Sequence, residues 1–212
     1  MGIIPTEVVI AHPPRTGPKI TPVSKLRPKP LRDVLLVAGD AMGVFDDIEA
    51  FYAFGVPHDT MLINYIASVW TEPFEHYVAG DSHEADMQGV ARKLPKGVLK
   101  HCWNPTSHGF DVRWVRTSNP GWNGTTANLA VKVGLALDYT RIILAGVPMD
   151  STGNWYKPYI PDNDIKQTKN HENHLWKWSE ISCRPQGRFI RSMSGNTKDL
   201  FGEPDREWLN KS

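Results

Sequence analysis

Two glycine-bearing stretches hold the residues of this chain best placed to do chemistry. The first, Gly39-Asp-Ala-Met-Gly43, follows an apolar run and opens an amphipathic helix. Glycine lets a backbone approach a ligand closely, and a helix N-terminus presents free N–H groups to an anion. Neither a GxGxxG fingerprint nor a Gly-Lys-Thr phosphate loop is present, and Asp40 would repel a phosphate set directly against it. The turn reads as a ligand cradle or as a plain strand-to-helix connection. The second stretch, Gly124-Thr-Thr126, starts a helix whose N–H and hydroxyl groups could receive a phosphate, or forms an ordinary helix cap. Asn64 and Asp81 close two intervening apolar runs. A carboxamide and a carboxylate there could hold a ribose, a sugar hydroxyl or a metal, or simply cap strand ends.

Proton transfer needs a group near neutrality, and His171 and His174, one helical turn apart, are the candidates. Each reads equally as an exposed helix histidine. The group Asp81, His83, Glu84 and Asp86 does not match a metal-ligand spacing, so no metal is expected. No nucleophile elbow and no Ser-His-Asp order stands out.

These residues need a scaffold. Val34 to Val37 is the continuous apolar run of a strand buried on both faces, and Val44, Ile48, Phe51 and Tyr52 then share one helical face. Asp46 and Asp47 suit the positive end of that helix dipole. Residues 60–64 and 75–79 read as strands, 98–103 and 110–115 as weaker ones, and 141–145 as a last central strand. A helix over 125–137 is apolar almost all round, with Thr125, Asn128 and Lys132 as its polar stripe. The expected fold is α/β: a Rossmann-like, mostly parallel sheet flanked by helices over residues 33–150, with the two glycine stretches as the halves of one crevice.

Residues 1–32 differ. Pro5, Pro13, Pro14, Pro18, Pro22, Pro28 and Pro30 exclude a helix or a central strand, and six basic residues face only Glu7. An extended, Pro-rich basic arm follows, either solvated or lying on a protein partner or a neighbouring subunit, with Val8 to Ile10 suited to edge-strand addition. Residues 151–212 read as a lid and helical extension on the core, with Leu175, Trp178 and Ile181 as an apolar face. A net charge of +1 gives no strong nucleic-acid signal. Two cysteines, Cys102 and Cys183, do not make a disulfide framework, no apolar run reaches membrane length and no signal peptide shows; a soluble cytoplasmic protein is expected.

The order of glycine turn, strand-end Asn64, small-residue helix start and a strand ending in Gly146 resembles the small bacterial sialyltransferases and their relatives. Those relatives include an uncharacterised domain family related to the archaeal 6-hydroxymethylpterin diphosphokinases. Gly39-Asp-Ala-Met-Gly43 stands where that group has a Gly-x-(Gly/Ala)-Pro-Ser turn, without the Pro-Ser. Leu62-Ile-Asn64 is similar to the strand carrying a nucleotide-contacting Asn, and Gly124-Thr-Thr-Ala127 stands at the Ser-Ser-Gly or Thr-Ser-Gly helix start. Residues 139–147 resemble the Gly-Tyr-Lys-x-Ile-x-Leu-x-Gly-Ile-Asp run, with Met149-Asp150 near its acidic end. Arg191-Ser-Met-Ser-Gly-Asn-Thr197 resembles a segment of uncharacterised phage and bacterial proteins of this type.

The resemblance implies a nucleotide or nucleotide-sugar donor held by Gly39, Asp40, Gly43, Asn64, Asp81, Gly124, Thr125 and Thr126. A lid histidine, His171 or His174, would then be the acid/base of a glycosyltransferase-like reaction, with Lys132 or Lys157 offsetting charge on the leaving group. The alternative is a non-catalytic structural or interaction protein on the same fold, such as a phage particle component found in the virion.

Overall fold

The computed structural model describes residues 31–103, 108–114, 123–155 and 174–210, together with the backbone of 7–10 and 19–22. Its strands are β1 (Glu7–Ile10), β2 (Lys19–Pro22), β3 (Val34–Ala38), β4 (Asp59–Ile63), β5 (His76–Ala79), β6 (Leu99–Cys102), β7 (Val112–Trp114), β8 (Arg141–Ala145) and β9 (Ile190–Ser192). They form one sheet in the order β2-β1-β7-β6-β5-β4-β3-β8-β9. The seven from β7 to β9 are all parallel, and β1 and β2 add antiparallel at the β7 edge. Val8 to Ile10 thus pair with Trp114 to Val112 of their own chain.

The chain lays down β3 to β7 in one direction, then returns beside β3 and continues outward as β8 and β9. The strand order therefore reverses between β3 and β8, which pair along their full length from Val34↔Arg141 to Ala38↔Ala145. Helices α1 (Val44–Tyr52), α2 (Ala85–Lys93), α3 (Thr126–Ala136), α4 (174–182), α5 (Gly195–Phe201) and α6 (Arg206–Asn210) flank the sheet. Strand side chains alternate between two cores because successive residues point to opposite faces. Leu35, Val37, Met61, Val78, Ile142 and Leu144 meet α3 and Trp178 of α4. Leu36, Leu62, Tyr77 and Ile143 meet Val44, Ile48 and Phe51 of α1 and Met87 and Ala91 of α2. With apolar partners on both sides, β3, β4 and β5 are buried at every position.

Some elements depart from the sequence reading. Helix α2 lies where only a loose polar cluster was visible; Met87 and Ala91 anchor it, Asp86 sits in its first turn and Arg92 and Lys93 in its last, a charge order that suits the helix dipole. Asn64 does not end β4 but opens a 3-10 helix, Asn64–Ser68. Helix α3, by contrast, is buried through nearly its whole length as its all-round apolar surface implies, and Asn128 and Lys132 of its polar stripe are buried with it. Among the described residues no helix is long and apolar enough to cross a membrane.

Candidate active site

Strand order reversal leaves a crevice outside the carboxyl ends of β3 and β8, because the connections leave those strands toward opposite sides. A cleft with a cavity volume of about 480 Å3 occupies this place. Its walls bring together Gly39, Asp40, Asn64, Asp81, Gly124, Thr125, Thr126 and His174. Gly43 does not join them: it is the left-handed N-cap of α1 (φ 86°), with open space where a side chain would stand. His171 and Lys157 lie outside the described residues. Lys132 stands behind the wall, its Nζ 4.5 Å from the ring centre of Trp103, which does line the cleft. Burial lowers the Lys132 ammonium to a pKa of about 8.

The β3–α1 turn is not an open cradle. The N–H groups of Gly39, Ala41, Met42 and Val44 donate to the carbonyls of Ala145, Gly146, Gly153 and Ala41. Gly39 is glycine because a Cβ there would run into the Gly146 carbonyl, and Gly146 (φ +63°) because its Cβ would lie 2.5 Å from Val44. Asp47 of α1 accepts from the Gly146 amide (2.8 Å) and the Ser194 hydroxyl (2.6 Å), tying α1, β8 and the start of α5 together.

Asp40 caps the 3-10 helix: Oδ1 accepts from the Ile66 amide (2.8 Å) and Oδ2 from that of Tyr65 (3.3 Å). Burial raises its carboxyl to a pKa of about 7, although those two amides and the side chains of Trp155 and Asn64 oppose the rise. Asn64 beside it has a left-handed backbone (φ 51°), and its buried Oδ1 has no hydrogen-bond partner among the described residues. An unsatisfied acceptor in a cleft wall is a place for a ligand's donor.

The opposite wall is the start of α3. Thr125 is its N-cap in a reciprocal capping box: its Oγ1 accepts from the Asn128 amide (3.4 Å) and Asn128 Oδ1 accepts from its N–H (2.8 Å). Thr126 and Ala127, the first two helical residues, carry N–H groups that by helix geometry lack an intrahelical acceptor. The Thr126 hydroxyl accepts from the Gly80 amide (3.2 Å), binding α3 to the end of β5, and a Cβ on Gly80 would come within 2.6 Å of it. Asn128 is fully buried, and among the described residues its Nδ2 has no acceptor.

Several wall residues were not singled out from the sequence: Trp103, Pro148, Gly153 and Asn154. Met149 is left-handed (φ 54°), which no local pattern announces. It is held from outside by the Arg191–Thr197 segment, where Thr197 Oγ1 donates to the Val147 carbonyl (2.6 Å) and Asn196 Nδ2 to that of Met149 (2.8 Å). The segment that carried the phage-protein resemblance is therefore a clamp on the cleft loop. Three carboxylates (Asp40, Asp81, Asp150) line the cleft, and among the described residues no lysine or arginine does.

Nothing in comparisons with family models, curated proteins and solved structures matches this chain.

Proposed function

We propose that this chain binds a nucleotide or nucleotide-sugar in the cleft and acts as a glycosyltransferase-like enzyme. The observation that supports this reading best is the Asn64 Oδ1, an unsatisfied acceptor on a strained backbone inside a cleft at the sheet's switch point. Phosphate charge belongs at the α3 end, where helix N–H groups are free to donate. Sugar hydroxyls belong at the Asn64 and Asp81 end, where the wall is made of acceptors. His174 is the proton-transfer group within reach of such a ligand, deprotonating an acceptor hydroxyl or protonating the leaving phosphate.

A thermal-shift screen against nucleotides and nucleotide sugars, with and without divalent metal, tests the reading. Ligand at a hundredfold excess over its Kd stabilises the fold by about 2.7 kcal/mol. A shift with one donor that Asn64→Gly abolishes supports the proposal; no shift with any donor sinks it.

A second reading has its own support. The β3–α1 turn is sealed by the chain's own carbonyls and three carboxylates face the cleft, both unfavourable to an anionic ligand. A non-catalytic structural or interaction protein, for instance a particle component, accommodates these features. Screening that finds no small ligand, combined with recovery of a stoichiometric protein complex through residues 1–32, would favour it.

A further inference from the structure

Away from the cleft, a line of five side chains crosses the α3-facing side of the sheet. Trp114 Nε1 donates to His101 Nδ1 at 3.0 Å. His101 Nε2 lies 3.3 Å from His76 Nδ1, and His76 Nε2 lies 3.2 Å from the Tyr139 hydroxyl. That hydroxyl donates to Asp59 Oδ2 at 2.7 Å. The line joins β7, β6, β5, the α3–β8 turn and β4, and each of its five residues is at most 2% exposed.

Its direction follows from the chemistry of the ends. An indole N–H can only donate, so His101 Nδ1 must accept. The single proton of a neutral His101 then sits on Nε2 and fills the link to His76 Nδ1. The His76 proton sits on Nε2 in turn and points at the Tyr139 oxygen, whose own proton goes to Asp59. Two neutral Nε2–H imidazoles fill all four links. A further proton on either imidazole puts two N–H groups face to face in one link.

The surroundings do not welcome that proton. Burial, and then His76, hold the His101 imidazole well below the usual histidine range. From α3 the charged group on this side is Lys132. The carboxylate at the end, Asp59, is separated from His101 by both His76 and Tyr139. Glu75, next to His76, turns to the Thr60 amide (2.7 Å), and Asp138 precedes Tyr139. Lys100, which pairs with Asp111 at 3.7 Å, and Arg113 alternate to the other face of β6 and β7.

We propose that this relay is an acid-sensitive latch: a proton taken up at His76 or His101 breaks the links that tie β6 and β7 to β4 and β5, and loosens the cleft wall carried by Trp103, two residues beyond His101. The latch does not depend on what the cleft binds. An unfolded or opened His101 protonates near pH 6.5, whereas the latched one resists, so the closed form loses stability as pH falls below about 6.5. Asp40 acts with the opposite sign over part of that range, because its raised carboxyl favours the folded state as pH falls. The informative quantity is therefore a difference between variants at each pH.

Hydrogen exchange of the β6 and β7 amides in the full-length chain, corrected for intrinsic rates, is compared between the native protein and His101→Gln from pH 7 to pH 5. Glutamine accepts from Trp114 and donates to His76 without titrating. The native protein should lose protection relative to the variant by about tenfold per pH unit below about 6.5 for each proton taken up. Parallel profiles for the two proteins overturn the proposal. Should His101→Gln not fold, nitrogen-detected NMR of the native imidazoles decides. Two neutral Nε2–H tautomers at pH 7, with amide opening as imidazolium forms, sustain the latch. Imidazolium at pH 7, or protection retained once imidazolium has formed, overturns it.

Discussion

On the β3 side of the cleft the backbone donors of the turn are spent on the chain's own carbonyls at Ala145, Gly146 and Gly153. Across the cleft, at the start of α3, the Thr126 and Ala127 amides lack an intrahelical acceptor while Thr125 and Asn128 cap each other, and in the wall beside Asp40 the Asn64 Oδ1 has no partner among the described residues. Both sides begin with a glycine stretch that reads alike in sequence. The difference lies in what packs over each. The 146–155 loop folds down onto Gly39–Met42 through backbone hydrogen bonds, whereas at the mouth of α3 a side chain does the covering, Lys177 Nζ donating to the Asn123 carbonyl (3.3 Å). A glycine turn at a switch point is thus not in itself a ligand cradle; its amides must also be left free.

Breaking the sealed side should cost most. Gly146→Ala forces a side chain into a left-handed position and against Val44, and should lower the unfolding free energy by about 2–4 kcal/mol in urea titrations. A cost below about 1 kcal/mol would mean that the two segments are not in close contact.

Asp40 comes next, through pH. Its folded carboxyl titrates near 7 and its unfolded one near 3.8, so the folded state binds more protons between those values. Its contribution to stability is present below about pH 4 and is lost as pH rises toward and through 7. Asp40→Asn should remove that slope, narrowing the stability difference between pH 5 and pH 8 by about 2 kcal/mol or more. Urea titrations at the two pH values measure it, and an unchanged difference would show that Asp40 is solvated.

The open side should respond more gently. Thr125→Ala removes the N-cap of α3 and should cost about 1 kcal/mol, read as a lowered Tm. Asn64→Gly keeps the left-handed backbone and removes only the carboxamide, so stability should change by no more than about 0.5 kcal/mol while ligand affinity falls at least about tenfold. Stability and binding falling together would place Asn64 with the sealed side.

Periodicity in the sequence was informative where burial repeats along one element. Val34–Ala38, Val44–Tyr52, Arg141–Ala145 and the all-apolar α3 are each legible because both sheet faces and one helix stripe must be covered. Helix α2 was masked by its charges and by Gly89, although Met87 and Ala91 at i and i+4, with acid first and base last, were the signal available. Asn64 and Asp81, just beyond β4 and β5, and the helix start Gly124–Thr126 were legible as polar positions at the carboxyl edge of the sheet, where they line the cleft. Trp103 and the left-handed backbone of Met149 were not legible, because one is an aromatic among many and the other is set by a clamp from Ser194–Thr197.

Local spacing by itself determined that this chain builds a parallel α/β sheet and that its polar residues gather at one edge, since both follow from which residues must leave water. It could not determine which glycine turn is sealed and which is open. Nor could it place Asp59, Tyr139, His76, His101 and Trp114 in one line, because their partners stand as many as 80 residues apart and meet only when four strands come into register. The tertiary structure decided those matters, for a hydrogen bond is made by proximity in space, and proximity between strands is set by the packing of the whole sheet.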